Sequence, residues 1–239
     1  MRALLRPGAR VPLCLWLCFP LFLAGCTGSL FQSKAAAPTV FQLSAGARAS
    51  AAGTPAGGSP QTGANASAAP IAGSPVVPVD LAVLKPTLSP GLDVDRIAIL
   101  YPDRRLEYFA DARWSGPLGE VLQDLAVQVF HARANLRTVS ADTSVFTSAY
   151  WLEIAVTDCQ AEYTPAATAP TVHVHLIARI GNSSDRRLLG RFEADVRQAA
   201  AENRLTAIVD AYARAADTAL DEIAADAAAT LNRNKLGDN

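Results

Sequence analysis

Apolar and polar residues alternate with a two-residue period over residues 150–157, 171–180 and 188–196, and each stretch reads as a half-buried strand. In the middle one Val172, Val174, Leu176, Ala178 and Ile180 share a face, while His173, His175 and Arg179 take the other. Residues 181–185 (GNSSD) supply the turn into the next strand. Residues 202–232 change period: Leu205, Ile208, Val209, Tyr212, Ala216, Leu220, Ile223, Ala227 and Leu231 form a stripe at 3.6-residue spacing, predicting a long helix across the dry face of the sheet. An earlier block repeats the scheme. Residues 79–84 read as a strand closed by Lys85-Pro86, residues 96–101 and 104–109 as a hairpin turning at Pro102-Asp103, and Leu118, Val121, Leu122, Leu125 and Val129 as one face of a helix ending near Asn135. Ser115 is the expected N-cap. Hairpin, helix, hairpin, helix predicts an α+β fold, a mainly antiparallel sheet with two amphipathic helices packed on one face.

The N-terminal third has a different texture. Residues 39–44 (TVFQLS) alternate as a short strand, but in residues 45–75 all but Arg48, Gln61, Asn65 and Ile71 are Ala, Gly, Ser, Thr or Pro. Such a segment cannot offset its ordering entropy by burial, and it is expected to be a disordered tether or a tolerated insertion. The expected organisation is a signal segment over 1–25, a lipid-anchored tether over 26–75 holding the short strand and the low-complexity segment, and one domain over 76–239.

The signal segment carries Arg2, Arg6 and Arg10 without an acid, then a 13-residue apolar run from Val11 to Leu23, too short to span a bilayer. It ends Leu23-Ala24-Gly25-Cys26, which resembles a bacterial lipobox: two small residues fit a peptidase groove, and the Cys26 thiol carries a thioether-linked diacylglycerol. Cleavage there leaves 18 basic against 22 acidic side chains, a negative body held to a membrane by acyl chains rather than by charge. Thr27 in place of an Asp points to the outer membrane, facing the periplasm. That balance, with no basic run, excludes a nucleic-acid binder. Of the four cysteines Cys14 and Cys18 leave with the signal and Cys26 is acylated. Cys159 remains as a buried structural residue.

The candidate chemistry is sparse. His173 and His175 could chelate a metal were Glu193 or Asp195 to approach from the next strand, but solvated strand histidines are commoner, and neither a metal nor a cofactor is expected. Asp93 with Asp95 and Asp221 with Glu222 read as solvated pairs, since paired carboxylates need burial to do acid-base work. Nucleophile elbows, phosphate loops, HExxH and CxxC are absent from the sequence, and no enzyme activity is expected. Tyr101, Tyr108, Phe109 and Trp114 form an aromatic group that is a candidate partner or lipid contact, although core packing between the hairpin and the first helix is the favoured reading.

The stretch from Arg96 to Leu118 (RIAILYPDRRLEYFADARWSGPL), together with Phe41-Gln42-Leu43 after the lipobox and the strand entry from Pro90 to Ile97, resembles the family of ABC-type transport auxiliary lipoproteins. The resemblance spans roughly 195 residues and departs at the 45–75 insertion. It implies a non-catalytic outer-membrane component working with an ABC transporter permease and ATPase and a mammalian-cell-entry type substrate-binding protein in lipid transport across the periplasm. The resemblance leaves room for a homo-oligomer. The alternative is a stand-alone periplasmic lipid or small-molecule carrier.

Overall fold

The computed structural model describes residues 37–46, 77–142 and 147–237. The signal segment, Cys26 and residues 47–76 lie outside the described residues. The chain divides into two units, Met1–Ala37 and Pro38–Asn239, and the second carries every element below.

In chain order the elements are β1 (Thr39–Phe41), β2 (Val77–Val83), β3 (Thr87–Leu88), β4 (Arg96–Leu100), β5 (Leu106–Trp114), α1 (Leu118–Arg133), β6 (Leu136–Ala141), β7 (Tyr150–Glu162), β8 (Thr171–Asn182), β9 (Leu188–Ala199) and α2 (Leu205–Gly237). The strands form one nine-stranded sheet built on β7. One edge of β7 pairs antiparallel with β8 along its whole length, and β8 pairs likewise with β9. The other edge takes three short segments in parallel, β2 with Leu81 opposite Tyr150 and Val83 opposite Leu152, then β3, then β4. β6 lies parallel outside β2, and β5 lies antiparallel outside β4. The fold is the expected α+β arrangement.

β1 pairs in parallel with β5, Thr39 opposite Ala112 and Phe41 opposite Trp114. The short N-terminal strand therefore belongs to the sheet of the main body. Leu43 follows it into the core at 2% exposure. The Ala45 and Gly46 amides then donate to Gln128 Oε1 on α1 and to Asp217 Oδ1 on α2, both at 3.3 Å. Both flanks of the 47–76 segment thus sit in one folded unit, at Gly46 and at the start of β2.

The core lies between the helices and the inner sheet face. Val172, Val174, Ala178 and Ile180 are fully buried there, facing Ala211, Ala215, Ala219, Ala224 and Ala227 of α2 at 0% exposure. Alanine supplies the highest helix propensity and lets the helix axis approach the strands closely. Tyr212 is clamped between them: its ring meets the edge of Trp114 at 5.3 Å and its hydroxyl donates to the Ala98 carbonyl at 2.6 Å. Gln123 reaches from α1 to donate to the Val83 carbonyl at 2.9 Å and to Asp142 at 2.8 Å, joining that helix to the end of β2.

One local expectation is corrected and one element added. Ser115 is not the N-cap of α1. Pro117 occupies that position without a side-chain cap bond, because its fixed φ suits a helix start. The free amide of Gly119 is met by Asp93 Oδ1 at 3.3 Å, from the turn before β4. That carboxylate also faces the positive end of the helix dipole. Residues 136–141, to which the sequence pattern assigned no element, form β6; only Leu136 and Val139 of that strand are buried, which breaks the two-residue pattern.

Candidate functional site

The outer face of β7, β8 and β9 is polar, and a single irregularity decides which residues reach it. Along β7, Tyr150, Leu152, Ile154 and Val156 point inward, all even-numbered, yet Cys159 and Ala161 are the inward residues beyond them. Thr157 is an extra residue: Val156 pairs with Leu176 and Asp158 already with His175. This bulge shifts the alternation by one position, so that Asp158, Gln160 and Glu162 face outward beside the β8 histidines.

The result is a ladder of two imidazoles, each held between a carboxylate of β7 and a carboxylate of β9. His173 Nδ1 lies 2.9 Å from Glu162 Oε1 and its Nε2 2.8 Å from Asp195 Oδ1. His175 Nε2 lies 3.0 Å from Glu193 Oε1, and its Nδ1 lies 3.6 Å from Asp158 Oδ2. The rings are parallel within 5° at 6.3 Å. Gln160 donates from its amide to Asp158 Oδ1 at 2.9 Å and to Glu162 Oε1 at 3.2 Å. Arg197 Nη1 donates to Glu162 Oε2 at 2.6 Å, and its Nη2 stands 3.1 Å from His173 Nδ1. His173 is not a solvated strand residue, as the sequence suggested: it is 6% exposed, covered by these neighbours.

Burial alone would raise the carboxyls of Asp158 and Glu162, but the surrounding donors outweigh it. The Gln160 amide and the two imidazoles hold Asp158 below the usual carboxylate range, and Arg197, His173 and Gln160 do the same for Glu162. Both are therefore anionic at neutral pH.

The aromatic group is not brought together. Trp114 is buried at 3% against Tyr212 and is a core residue, not a surface contact. Tyr101 stacks on Tyr163 at 5.7 Å with the Arg105 guanidinium over its ring, forming a small half-buried platform. Tyr108 lies apart under Arg96, its hydroxyl donating to the Gly91 carbonyl at 2.8 Å. Phe109 packs on the edge of the core.

The remaining sequence candidates fall into structural roles. Asp93 caps α1, Asp95 pairs with Arg113 at 3.1 Å, and Asp221 pairs with Arg133 at 3.1 Å. The Cys159 thiol is 1% exposed, and burial followed by the nearby Asp158 charge pushes its pKa up to about 12, far from a nucleophile's range. The sequence reading missed Asp158 and Glu162 as neighbours of the histidines because it ended the strand at Thr157. The signal was present: adjacent polar residues Thr157 and Asp158, followed by apolar residues in the opposite phase.

The α+β fold, with its helices on one sheet face, is also seen in crystal structures. Protein XCC0632 from Xanthomonas campestris superimposes with a TM-score of 0.64 at 23% identity, over 70% of this chain and 93% of that one. A second crystal structure, of an uncharacterized protein, gives 0.52 at 14% identity over 64% and 94%. A search of curated proteins gives no match. The family is defined by sequence: the model of the ABC-type transport auxiliary lipoprotein component matches residues 62–224, and the chain belongs to that family.

Proposed function

We propose that the protein is an outer-membrane lipoprotein, acylated at Cys26, that serves as a non-catalytic auxiliary component of a lipid transport system. Its partners are an ABC transporter permease and ATPase and a mammalian-cell-entry type substrate-binding protein in the periplasm. The observation that carries this reading is family membership over residues 62–224, the main body of the fold. The position of β1 supports it. Eleven residues lie between Cys26 and Pro38, so even a fully extended chain keeps the body within roughly 40 Å of its acyl chains. A body held that close works at the membrane surface, where it can receive an assembly that crosses the periplasm. The Tyr101, Tyr163 and Arg105 platform, at the ends of β4 and β7, is the aromatic surface we assign to partner contact.

The test is affinity purification of the full chain from membranes of its own organism, with the Cys26→Ala form alongside. Recovery of the permease or the substrate-binding protein with the acylated form, together with sedimentation in the outer-membrane fraction, supports the reading. An unmodified N-terminus by mass spectrometry, or recovery of neither partner after crosslinking, refutes it. Tyr101→Ser/Arg105→Ser in a folded, acylated chain should weaken the capture at least tenfold.

A further inference from the structure

We infer that Asp158, Glu162 and His173 form a binding site for one divalent transition-metal ion of the zinc class on the outer face of the sheet. Three observations converge on it. The first is distance: one ligand atom from each residue lies within 4.8 Å of the other two. His173 Nδ1 is 2.9 Å from Glu162 Oε1 and 3.9 Å from Asp158 Oδ1. A zinc ion bonded at about 2.0 to 2.2 Å holds tetrahedral ligands roughly 3.4 Å apart, between these two separations.

The second observation is orientation. Both imidazoles turn Nε2 to a β9 carboxylate and Nδ1 toward the β7 carboxylates. A carboxylate on Nε2 orients the ring so that Nδ1 points at the β7 carboxylates, the arrangement by which metal-bound histidines are held. His173 Nδ1 stands 2.9 Å from Glu162 Oε1, and a metal ion there would take the place of the proton between the two atoms. Gln160 donates to the same Oε1 and Arg197 to Oε2. The Arg197 side chain is 53% exposed, and each carboxylate has lone pairs beyond those these donors use. A metal ion satisfies all three donors at once.

The third observation is the bulge. Were the strand regular through Thr157, alternation would send Asp158 and Glu162 into the core, so the bulge brings both carboxylates to the histidines. The donor set also selects the metal. One imidazole with two carboxylates suits zinc and its neighbours, whereas magnesium and calcium prefer six or more oxygens. Asp158 is the more exposed of the two carboxylates, leaving room for water as a fourth ligand. His175 Nδ1, facing the second oxygen of Asp158, orients that carboxylate.

The experiment uses the untagged full chain in detergent, stripped with chelator and titrated with zinc chloride against a chromogenic chelator. One equivalent of zinc should bind, and thermal melting should rise with zinc but not with magnesium. Glu162→Gln and Asp158→Asn, checked for folding by circular dichroism, should lower the affinity about 100-fold. Asp195→Asn should lower it about tenfold through the orientation of His173, and Glu153→Gln on the same face should leave it unchanged. X-ray absorption of the zinc-loaded native chain should show imidazole nitrogen and carboxylate oxygen ligands, a readout that needs no variant to fold. A folded native chain that takes up no zinc, an affinity indifferent to both carboxylate variants, or a shell containing sulfur overturns the assignment.

Discussion

Gly181→Ala tests the packing of the polar sheet face most sharply. Gly181 pairs with Trp151 across β7 and β8, and the indole lies over it. An added Cβ would stand 2.2 Å from Trp151 Cζ2, 2.4 Å from Cε2 and 2.9 Å from the Arg187 carbonyl. Carbon atoms in contact rest about 3.5 Å apart, so the ring must retreat by more than ~1 Å. Retreat breaks the Trp151 Nε1 hydrogen bond to the Asn182 carbonyl, 3.3 Å long. Overpacking costs about 1 to 3 kcal/mol and the lost bond about 1 kcal/mol, giving a destabilisation near 2 to 4 kcal/mol. In a Trp151→Leu background the ring is gone, only the carbonyl contact remains, and alanine regains about 0.5 to 1 kcal/mol over glycine in a strand. The same substitution should then be nearly neutral. Urea denaturation of the four proteins in a double-mutant cycle reads this as a coupling of about 2 kcal/mol. Additivity within about 0.5 kcal/mol would refute the steric argument.

Four further outcomes follow from the same geometry. Asp93→Ala should destabilise the fold by about 1 kcal/mol in urea, since it removes the only acceptor recorded for the Gly119 amide among the described residues. Cys159 should resist a thiol reagent at pH 8 in the native chain and react at once in urea, its folded pKa being about 12; fast native labelling would contradict its burial. Deleting Thr157 should cost under about 2 kcal/mol, because Asp158 stays outward and Cys159 inward, with mainly the Thr157 hydroxyl bond to the His175 carbonyl lost. Inserting an alanine after Asp158 should cost much more, and equal tolerance of the two changes would count against the bulge. Asp80 is held below the usual carboxylate range chiefly by its hydrogen bond from Arg137, so its stabilising contribution is present above the unfolded carboxyl pKa and fades as pH falls through the lower folded value. The stability gap between the native chain and Asp80→Asn should accordingly narrow in acid, and a gap unchanged between pH 7 and pH 2 would disprove the linkage.

Regular alternation made most of this fold readable. Strands β7, β8 and β9 and the stripe of α2 follow from period alone, since one face of each meets a core and the other meets water. What escaped was what breaks the period. β6 buries only Leu136 and Val139, three residues apart, and β3 is two residues long, held by its pairing with β7 rather than by any pattern of its own. The N-cap was misread because Asp93 arrives from a distant turn, which no local motif can encode. The histidines were visible as a pair, but their burial and their acidic partners depend on the register of two flanking strands. The sequence favours core packing for Trp114 but does not reveal its partner, because Tyr212 lies on the second helix nearly a hundred residues downstream.

The grip of β1 on β5 makes the proposed membrane attachment separable from chain continuity. A protease cutting anywhere between Gly46 and Val77 would yield two polypeptides, the shorter carrying Cys26, which we propose to be acylated. Among the described residues they would be joined by a three-residue ladder, the packing of Phe41, Leu43 and Ala45 on the core, and the two hydrogen bonds from the Ala45 and Gly46 amides. The nicked body would stay moored while that clasp held and drift free once it slipped.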